Sequence, residues 1–415
     1  MKTLQEKGQK AQEAKYVLAN LSKTKKNDVL SACADAMMID IDRILKANEK
    51  DMVAAKEKEK SAAFLDRLLL TKERVEEMAK GIYDVARLPD PIGKMLSYDV
   101  MENGMEIRKK RVPIGVIGII FEARPNVCSD AFALCFKSGN AVILRGGKEA
   151  IHTNQELVSV FRDTLAHLGV PKDAVQIIED TSRETAKKMM KLNEYIDVLI
   201  PRGGTDLIKS VVKNSTVPVI ETGAGNCHIY VDISADLQKA VNIVMNAKVQ
   251  RPGVCNSCET LLIHKFVFDK FMPLMAEALT KAGVEIRGDD KVCATVNEAV
   301  LAKEKDYETE FNDLILAVKV VDSMEEAVLH IRKYSTGHSE AIVTENYSKA
   351  QKFLNEVDSA AVYVNVSTRF TDGSQFGMGA EIGISTQKLH ARGPMGLEEL
   401  TSTKYVILGT GQIRE

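Results

Sequence analysis

The 415-residue sequence has almost no net charge, because 56 Lys and Arg residues stand against 58 Asp and Glu, a formal charge of −2. Nucleic acids and anionic membranes are bound largely through excess positive charge, so neither class of partner is expected. No uninterrupted apolar stretch approaches the about 20 residues that cross a bilayer, and the N-terminal segment has no apolar core of signal-peptide type. These absences predict a cytoplasmic protein.

Cysteines are few, and their pattern excludes two kinds of site. Their number is seven, and an odd number in a chain of this size argues against a disulfide framework. Cys255 and Cys258 form a Cys-x-x-Cys motif, but no second pair follows at the spacing that a zinc site requires. We therefore predict no metal site.

Patterning predicts several domains, because the chain is too long for one ordinary core. Residues 1–88 have apolar residues at helical spacing, for example over Lys26–Leu45. From Val112 onward, short β-branched runs such as Val112–Phe121 and Pro218–Ile220 alternate with amphipathic helices. This alternation is typical of parallel sheets with helices on both faces. It predicts two doubly wound α/β domains, with a junction within 222–235.

A hairpin is predicted over Leu96–Arg111, where Asn103-Gly104 separates two alternating runs. A further strand is predicted over Thr403–Gly409. A protruding hairpin can pair with another subunit or remain a surface hairpin without a partner, and the residues alone favour neither.

Cys255 is the first candidate for chemistry, because it lies in a Pro-Gly loop between a predicted helix and strand: Arg251-Pro252-Gly253-Val254-Cys255-Asn256-Ser257-Cys258. A rigid scaffold holds nucleophiles in such loops, and nearby turn amides raise the thiolate fraction of a thiol. A structural cysteine, or a redox pair with Cys258, would give the same pattern.

Two polar residues follow apolar runs. Glu221 precedes a glycine-rich turn at the expected carboxyl edge of a sheet, where desolvation would suit it to proton transfer. Asn126 follows Pro125, and its amide could stabilise an oxyanion together with a backbone N–H. The alternatives are a Glu satisfied by neighbouring amides and an Asn that caps a helix.

Two glycine-rich turns are candidate anion sites, namely Arg145-Gly146-Gly147-Lys148 and Pro201-Arg202-Gly203-Gly204-Thr205. Glycines let the backbone approach a ligand, and cations and helix N-termini suit phosphate. Neither turn has the G-x-G-x-x-G or Walker A pattern, and ordinary αβ turns also use glycine.

Taken in order, these motifs resemble the aldehyde dehydrogenase superfamily, and within it the γ-glutamyl phosphate reductase family. Glu221 and Cys255 stand 34 residues apart, a separation similar to that of the superfamily. The resemblance extends over nearly the whole chain. It is carried by Arg111–Asn126, Ala141–Ala150, Ile196–Leu207, Val217–Tyr230, Gln250–His264 and Val362–Thr403.

The resemblance implies a role for each catalytic candidate. Cys255 matches the nucleophile, and Asn126 matches the oxyanion-hole amide, with the Cys255 backbone N–H as second donor. Glu221 falls where hydrolytic members keep the general base. Those members carry Glu-Leu-Gly-Gly, whereas this chain has Glu-Thr-Gly-Ala-Gly from Glu221, a departure that weakens the assignment of Glu221 as a base.

The resemblance also implies NADP(H) as cofactor. Arg145 falls where the superfamily has a Lys that contacts the adenosine ribose, and Gly146 belongs to the same turn. A cation at Lys148, where NAD-preferring members often have a Glu, favours a 2′-phosphate. Gly203 and Gly204 match the turn that faces the pyrophosphate. Glu310 resembles the carboxylate that holds the nicotinamide ribose in the superfamily.

The reaction implied is the reduction of L-glutamyl 5-phosphate to L-glutamate 5-semialdehyde through a thioester on Cys255, in proline biosynthesis. Arg124 and Arg369, the latter supported by Ser367 and Thr368, are candidates for the substrate α-carboxylate. Phosphate could meet Arg251 or the loop amides. Expected partners are this small substrate, a functionally coupled glutamate kinase and further copies of the chain, as a dimer or larger assembly.

The resemblance predicts an aldehyde-dehydrogenase-like α/β fold with a helical N-terminal region and a small β oligomerisation arm. The expected division is a cofactor-binding domain of 1–95 and 113–228, with 365–395 returning near it, a catalytic domain of 229–364, and an arm of 96–112 and 400–415.

Three other functions fit parts of the pattern. A hydrolytic aldehyde dehydrogenase would make an acid without phosphate. A cysteine acyl-transferase or amidase would need Glu221 or a His as its base, and none of the seven His pairs recognisably with Cys255. A non-enzymatic dinucleotide-binding or scaffold protein would keep its function when Cys255 is alkylated.

Overall fold

A computed structural model describes residues 3–60, 62–122 and 124–414. The chain forms two compact units. The first is Met1–Thr222 with Gly377–Gly383 and Met395–Glu415, and the second is Gly223–Phe376 with Ile384–Pro394. Parts of three predicted features lie outside the described residues: positions 1, 2 and 61 of the helical region 1–88, Ala123 of the segment Arg111–Asn126, and the last residue of the arm.

Helices open the first unit, and side-chain caps mark several of their starts. Thr3 and Glu6 form a reciprocal capping box on the first helix, and Ser22 caps the second. The predicted helix Lys26–Leu45 is wrong as one element, because Asp40 leaves the helical conformation (φ −92°, ψ 17°) and separates two helices. The helices are α1 (Leu4–Leu18), α2 (Lys23–Ile39), α3 (Ile41–Glu57), α4 (Ala62–Leu68) and α5 (Lys72–Arg87).

The predicted hairpin is present as β1 (Met95–Val100) and β2 (Glu106–Pro113), paired antiparallel. Prediction of one strand over Val112–Phe121 is wrong. Pro113 ends β2, and the chain turns at Gly115, where φ is +137° and a Cβ would overlap the Asp197 carboxylate. The second half of that run is a separate strand.

That strand, β3, belongs to a four-stranded parallel sheet of order β5-β4-β3-β6. All of β3 is buried, which explains its continuous apolar sequence. The segment Pro218–Ile220, predicted as a strand, forms only one bridge, between Leu199 and Val219. The elements are β3 (Val116–Phe121), α6 (Asn126–Lys137), β4 (Ala141–Arg145), α7 (Ile151–His167), β5 (Val175–Ile177), α8 (Arg183–Met189), β6 (Val198–Arg202) and α9 (Thr205–Asn214).

The second unit contains a seven-stranded parallel sheet of order β10-β9-β11-β8-β7-β12-β13. Its central strands are fully buried and form the core with the helices that pack on them. The elements are β7 (Cys227–Val231), α10 (Leu237–Val249), β8 (Cys258–His264), α11 (Lys265–Lys281), β9 (Glu285–Gly288), α12 (Asp290–Thr295), β10 (Val300–Leu301), α13 (Glu304–Tyr307), β11 (Ile315–Val321), α14 (Met324–Tyr334), β12 (Ser339–Val343), α15 (Tyr347–Glu356) and β13 (Ala361–Val364).

Three further strands complete the described chain: β14 (Ile384–Ser385), β15 (Gly393–Pro394) and β16 (Thr401–Leu408). The predicted C-terminal strand is present as β16, and it pairs antiparallel with β2 in a three-stranded sheet of order β1-β2-β16. No helix among the described residues is both long and apolar enough to cross a membrane.

The unit boundaries differ from the predicted domain boundaries. Residues 223–228 join the second unit, because β7 begins at Cys227 and pairs with β8 and β12. The segment 365–395 was expected near the first domain, but 365–376 and 384–394 belong to the second unit. One tie is the Thr368 hydroxyl, which donates to the carbonyl of Asn256.

Candidate active site

Cys255 lies in the loop that joins α10 to β8 in the second unit, and it is half-buried. Cys258, three residues later, is fully buried at the start of β8, and burial raises the pKa of its thiol well above the ordinary value. A buried thiol that resists ionisation is a poor nucleophile. Cys258 is therefore a structural residue, and Cys255 is the reactive candidate of the pair.

The backbone of Cys255 is held from the segment before β7. A Cβ at Gly225 would overlap the carbonyl group of Cys255, so only glycine fits there. The Cys227 thiol donates to the same carbonyl oxygen at 3.2 Å. The Glu310 carboxylate accepts the N–H of Gly225 at 2.8 Å, so it fixes the backbone segment on which Cys255 packs.

A buried ion pair closes the base of the Cys255 loop. Lys248, in the last turn of α10, lies 2.6 Å from Glu259, the second residue of β8, and both side chains are fully buried. Lys248 and Glu259 stand just outside the two ends of the loop. Their contact therefore fixes the distance that the loop must span.

Replacing Lys248 with Met would leave the Glu259 carboxylate without its cation in the core. We expect the free energy of unfolding to fall by about 3–5 kcal/mol in urea denaturation. The matched double variant, Lys248→Met with Glu259→Leu, removes both charges and should recover most of that loss. A single variant as stable as the wild type would contradict an ionised pair.

Arg369 and Arg251 bring positive charge to the same loop. The Arg369 guanidinium is half-buried and donates to Gln250 Oε1 at 3.1 Å and to Asn256 Oδ1. Burial lowers the pKa of Arg369, and the charge of Arg251 lowers it further, whereas the Cys255 thiolate raises it. Cys255 therefore lies within electrostatic range of a fixed guanidinium.

The predicted substrate residues Ser367 and Thr368 are buried and make contacts inside the protein. Ser367 Oγ accepts the N–H of Arg369 at 3.3 Å, and Thr368 Oγ1 donates to the Asn256 carbonyl at 2.7 Å. The Asn256 amide donates in turn to the carbonyl of Thr371 at 2.9 Å. These side chains orient Arg369 against the Cys255 loop.

Asn126 lies in the first unit, where the first turn of α6 follows the buried strand β3. The helix-cap interpretation is wrong, because the N-cap position is Pro125 and Asn126 is the first helical residue. Its exposed amide donates to Asp130 Oδ2 at 3.1 Å, one helical turn later. Burial raises the pKa of Asp130 to about 6, against the lowering effects of this hydrogen bond and of Arg202.

The turn Gly203-Gly204 precedes α9, at the same sheet edge as the end of β3. The carboxylate of Glu122 accepts the N–H of Gly204 at 2.9 Å. A Cβ at Gly203 would lie 2.7 Å from that carboxylate and 2.8 Å from Leu207. A backbone N–H of the turn therefore donates to an anionic group of this chain. Backbone donors of this kind are the ones expected to face a pyrophosphate.

In the turn after β4, Arg145 and Gly146 make contacts within the protein, whereas Lys148 faces solvent. Arg145 Nη2 donates to the carbonyls of Thr181 and Ser182, which braces the loop before α8. Gly146 is buried, and a Cβ there would overlap the side chain of Asn154. Lys148 is exposed. Close packing against Asn154 thus explains why residue 146 is glycine, whereas the Lys148 cation is accessible to a ligand.

Glu221 and Arg124 are both half-buried residues of the first unit. Glu221 directly follows Ile220, after the single bridge that Val219 makes with β6. Arg124 precedes α6, and its carbonyl accepts the N–H of Val127 at 3.0 Å.

The sequence interpretation missed Asp130, Glu122 and Asn256. Asp130 stands four residues after Asn126 on a helix, a spacing that predicts a contact and could have been used. Glu122 stands 82 residues from its partner Gly204, and Asn256 stands 113 residues from Arg369. No local pattern signals pairs as distant as these two.

Known proteins resemble this chain over nearly its whole length. The model of the aldehyde dehydrogenase family matches residues 2–313 and 291–406. The gamma-glutamyl phosphate reductase of Heliobacterium modesticaldum is 59% identical over 98% of each chain. The crystal structure of gamma-glutamyl phosphate reductase from Thermotoga maritima covers all of both chains at 50% identity with a TM-score of 0.97.

A more distant structure, an acetylating aldehyde dehydrogenase from Geobacillus thermoglucosidasius, matches 99% of this chain and 97% of its own with a TM-score of 0.71. At 16% identity this match shows the fold alone. The predicted aldehyde-dehydrogenase-like fold is confirmed, and the chain belongs to the aldehyde dehydrogenase family and, within it, to the gamma-glutamyl phosphate reductases.

Proposed function

We propose that this protein reduces L-glutamyl 5-phosphate to L-glutamate 5-semialdehyde and phosphate, with Cys255 as the nucleophile. One observation carries the assignment to Cys255: it is half-buried in a braced loop, within electrostatic range of the Arg369 guanidinium. A nearby cation favours the thiolate, which is the nucleophilic form of cysteine. The names of the relatives supply the substrate class.

In the proposed reaction, Cys255 Sγ attacks the acyl carbon of the substrate, a carbon–sulfur bond forms, and the bond to the phosphate oxygen breaks. Arg251, exposed in the same loop, is proposed to meet the departing phosphate. The resulting thioester keeps the glutamyl group on the protein. No water-activating base is needed in this scheme, since hydrolysis would waste the thioester. We therefore give Glu221 no proton-transfer role in the forward reaction.

Asn126 is proposed to donate from Nδ2 to the carbonyl oxygen as negative charge develops on it, with the Cys255 N–H as second donor. Asp130 holds that amide by its 3.1 Å hydrogen bond and so limits its rotation. Collapse of the tetrahedral adduct returns the electron pair to Cys255 Sγ and releases the aldehyde.

The protein uses a nicotinamide cofactor, as its family does, and we propose that it is NADP(H). When bound, the cofactor supplies the two electrons that reduce the thioester. The backbone of Gly203 and Gly204 is proposed for the pyrophosphate, and Arg145 and Lys148 for the adenosine end. Glu310 is proposed for the nicotinamide ribose. The Glu122 carboxylate at the Gly204 N–H supports an anion site there.

Replacing Lys148 with Glu should shift cofactor preference toward NADH. A charge-assisted hydrogen bond is worth about 1.5–3 kcal/mol, so the ratio of kcat/KM for NADPH to that for NADH should fall about 10–100-fold. The matched control is Lys172→Glu, which makes the same charge change at an exposed lysine between α7 and β5. An unchanged ratio in Lys148→Glu would exclude a 2′-phosphate contact at this residue.

We propose that the β1-β2-β16 sheet pairs with another copy of this chain, which would make the protein a dimer or larger assembly. The sheet exposes large apolar side chains on both edge strands, including Tyr98 at 52% and Tyr405 at 61%. Exposed apolar patches of this kind mark interaction surfaces. Light scattering of the purified protein measures the assembly directly.

We also propose functional coupling to a glutamate kinase, since an enzyme that phosphorylates the side-chain carboxylate of glutamate must supply the acyl phosphate.

The proposed reaction itself is tested by a spectrophotometric assay of NADP⁺ reduction with L-glutamate 5-semialdehyde, with and without inorganic phosphate. Turnover that requires phosphate supports the reductase. Equal turnover without phosphate indicates a hydrolytic aldehyde dehydrogenase instead.

A further inference from the structure

A small cavity opens beside Arg369 within the second unit. Its volume is about 210 Å³. Asn246 and Gln250 line it from the end of α10, and Arg369, Phe370 and Asp372 line it from the loop after β13. This volume is below the about 300–1,000 Å³ of sites for drug-sized ligands. It suits the end group of a small metabolite.

The cavity carries two opposite charges on one loop. The Arg369 guanidinium is fixed by its bonds to Gln250 and Asn256, and Asp372 lies within electrostatic range of it. The Asp372 carboxylate is itself positioned, because its Oδ1 accepts the N–H groups of Ser374 at 2.9 Å and Gln375 at 3.3 Å. A cation and an anion are therefore held by the protein at one cavity.

An α-amino acid presents the complementary pattern, a carboxylate and an ammonium on the same carbon atom. A dicarboxylic acid would leave Asp372 facing like charge, and a simple amine would leave Arg369 unpaired. Discrimination by paired charges of this kind is strong, because the wrong ligand leaves a partly buried charge unsatisfied.

We propose that this cavity recognises the amino acid end of the substrate, with Asp372 receiving the α-ammonium and Arg369 the α-carboxylate. The proposal rests on the function given above. That substrate carries its reacting carbonyl at the far end of a short carbon chain, and the Cys255 loop is held against the same Arg369 side chain through Asn256. Asp372 thus determines which aldehydes the protein accepts.

The test compares L-glutamate 5-semialdehyde with 5-oxopentanoate, which lacks only the amino group. Both are oxidised with NADP⁺ and phosphate by the full-length protein. Asp372→Asn keeps the oxygen that accepts the Ser374 and Gln375 N–H groups but removes the charge. We expect kcat/KM for the amino substrate to fall about 10–100-fold, while that for 5-oxopentanoate stays within about threefold of wild type.

Two further variants complete the test. Arg369→Gln should impair both substrates, because both carry the carboxylate, whereas Asp269→Asn, on the exposed face of α11, should change neither. Activity of Asp372→Asn on 5-oxopentanoate shows that the variant is folded. Equal loss for both substrates, or no loss for either, overturns the proposal and leaves the reductase function intact. A wild-type protein inactive on both overturns both proposals.

Discussion

Replacement of Cys255 by Ser is expected to lower kcat for the phosphate-dependent reaction by at least about 10³-fold, the scale on which enzymes lose activity without their nucleophile. The hydroxyl is a much weaker nucleophile than the thiolate at neutral pH, and an ester would replace the thioester. Spectrophotometric turnover at saturating substrate measures the effect. Folding should be unaffected, since the backbone carbonyl of residue 255, which accepts the Cys227 thiol, is kept when the side chain is serine.

Cys293→Ser is the matched control for this experiment. Cys293 is also half-buried and lies in the second unit, on α12. Iodoacetamide should inactivate the wild type and the Cys293 variant at the same rate, because both retain Cys255. A Cys255→Ser protein that keeps near-normal turnover would remove the thioester mechanism, and loss of activity in both variants would indicate a general structural effect.

Replacement of Asn126 by Ala should lower kcat about 10²–10³-fold, the usual loss when one oxyanion donor is removed. KM should change little, because the interaction strengthens only as charge develops on the oxygen. Asn126 is exposed at the start of α6, so the free energy of unfolding should change by no more than about 0.5 kcal/mol. Steady-state kinetics and urea denaturation together separate these two effects.

Asn193→Ala provides the comparison for Asn126, since Asn193 is another exposed asparagine of the first unit whose amide donates to a backbone carbonyl, that of Thr216. It should keep full activity. Asp130→Asn should have an intermediate effect, because it weakens the orientation of Asn126 without removing the donor. An Asn126→Ala protein with unchanged kcat would exclude this amide from the oxyanion hole.

Much of the fold was predictable because apolar period and sheet type are linked. Strands buried on both faces of a parallel sheet are continuous apolar runs, and β3 and the first four residues of β4 have such sequences. Two of the failures were local. The chain turns between Pro113 and Val116 inside an apolar run, and the break at Asp40 has neither glycine nor proline to announce it.

The site was predictable where a motif carries the chemistry and unpredictable where distant segments meet. The Pro-Gly loop identified Cys255 as a candidate, and helical spacing could have identified Asp130. The contact of Cys255 with Gly225 joins segments about 30 residues apart. The hydrogen bond from Arg369 to Asn256 joins residues 113 apart. Both depend on packing between segments that are distant in the sequence. The return of 377–383 to the first unit likewise depends on long-range packing.

The most direct measurement mixes the wild-type protein with L-glutamate 5-semialdehyde and NADP⁺ in phosphate-free buffer. We expect a rapid burst of one NADPH per active site, a glutamyl group on Cys255 in the peptide mass spectrum, and renewed turnover when phosphate is added. Continuous NADPH formation without phosphate, with no acyl group on Cys255, would contradict a phosphate-dependent thioester mechanism.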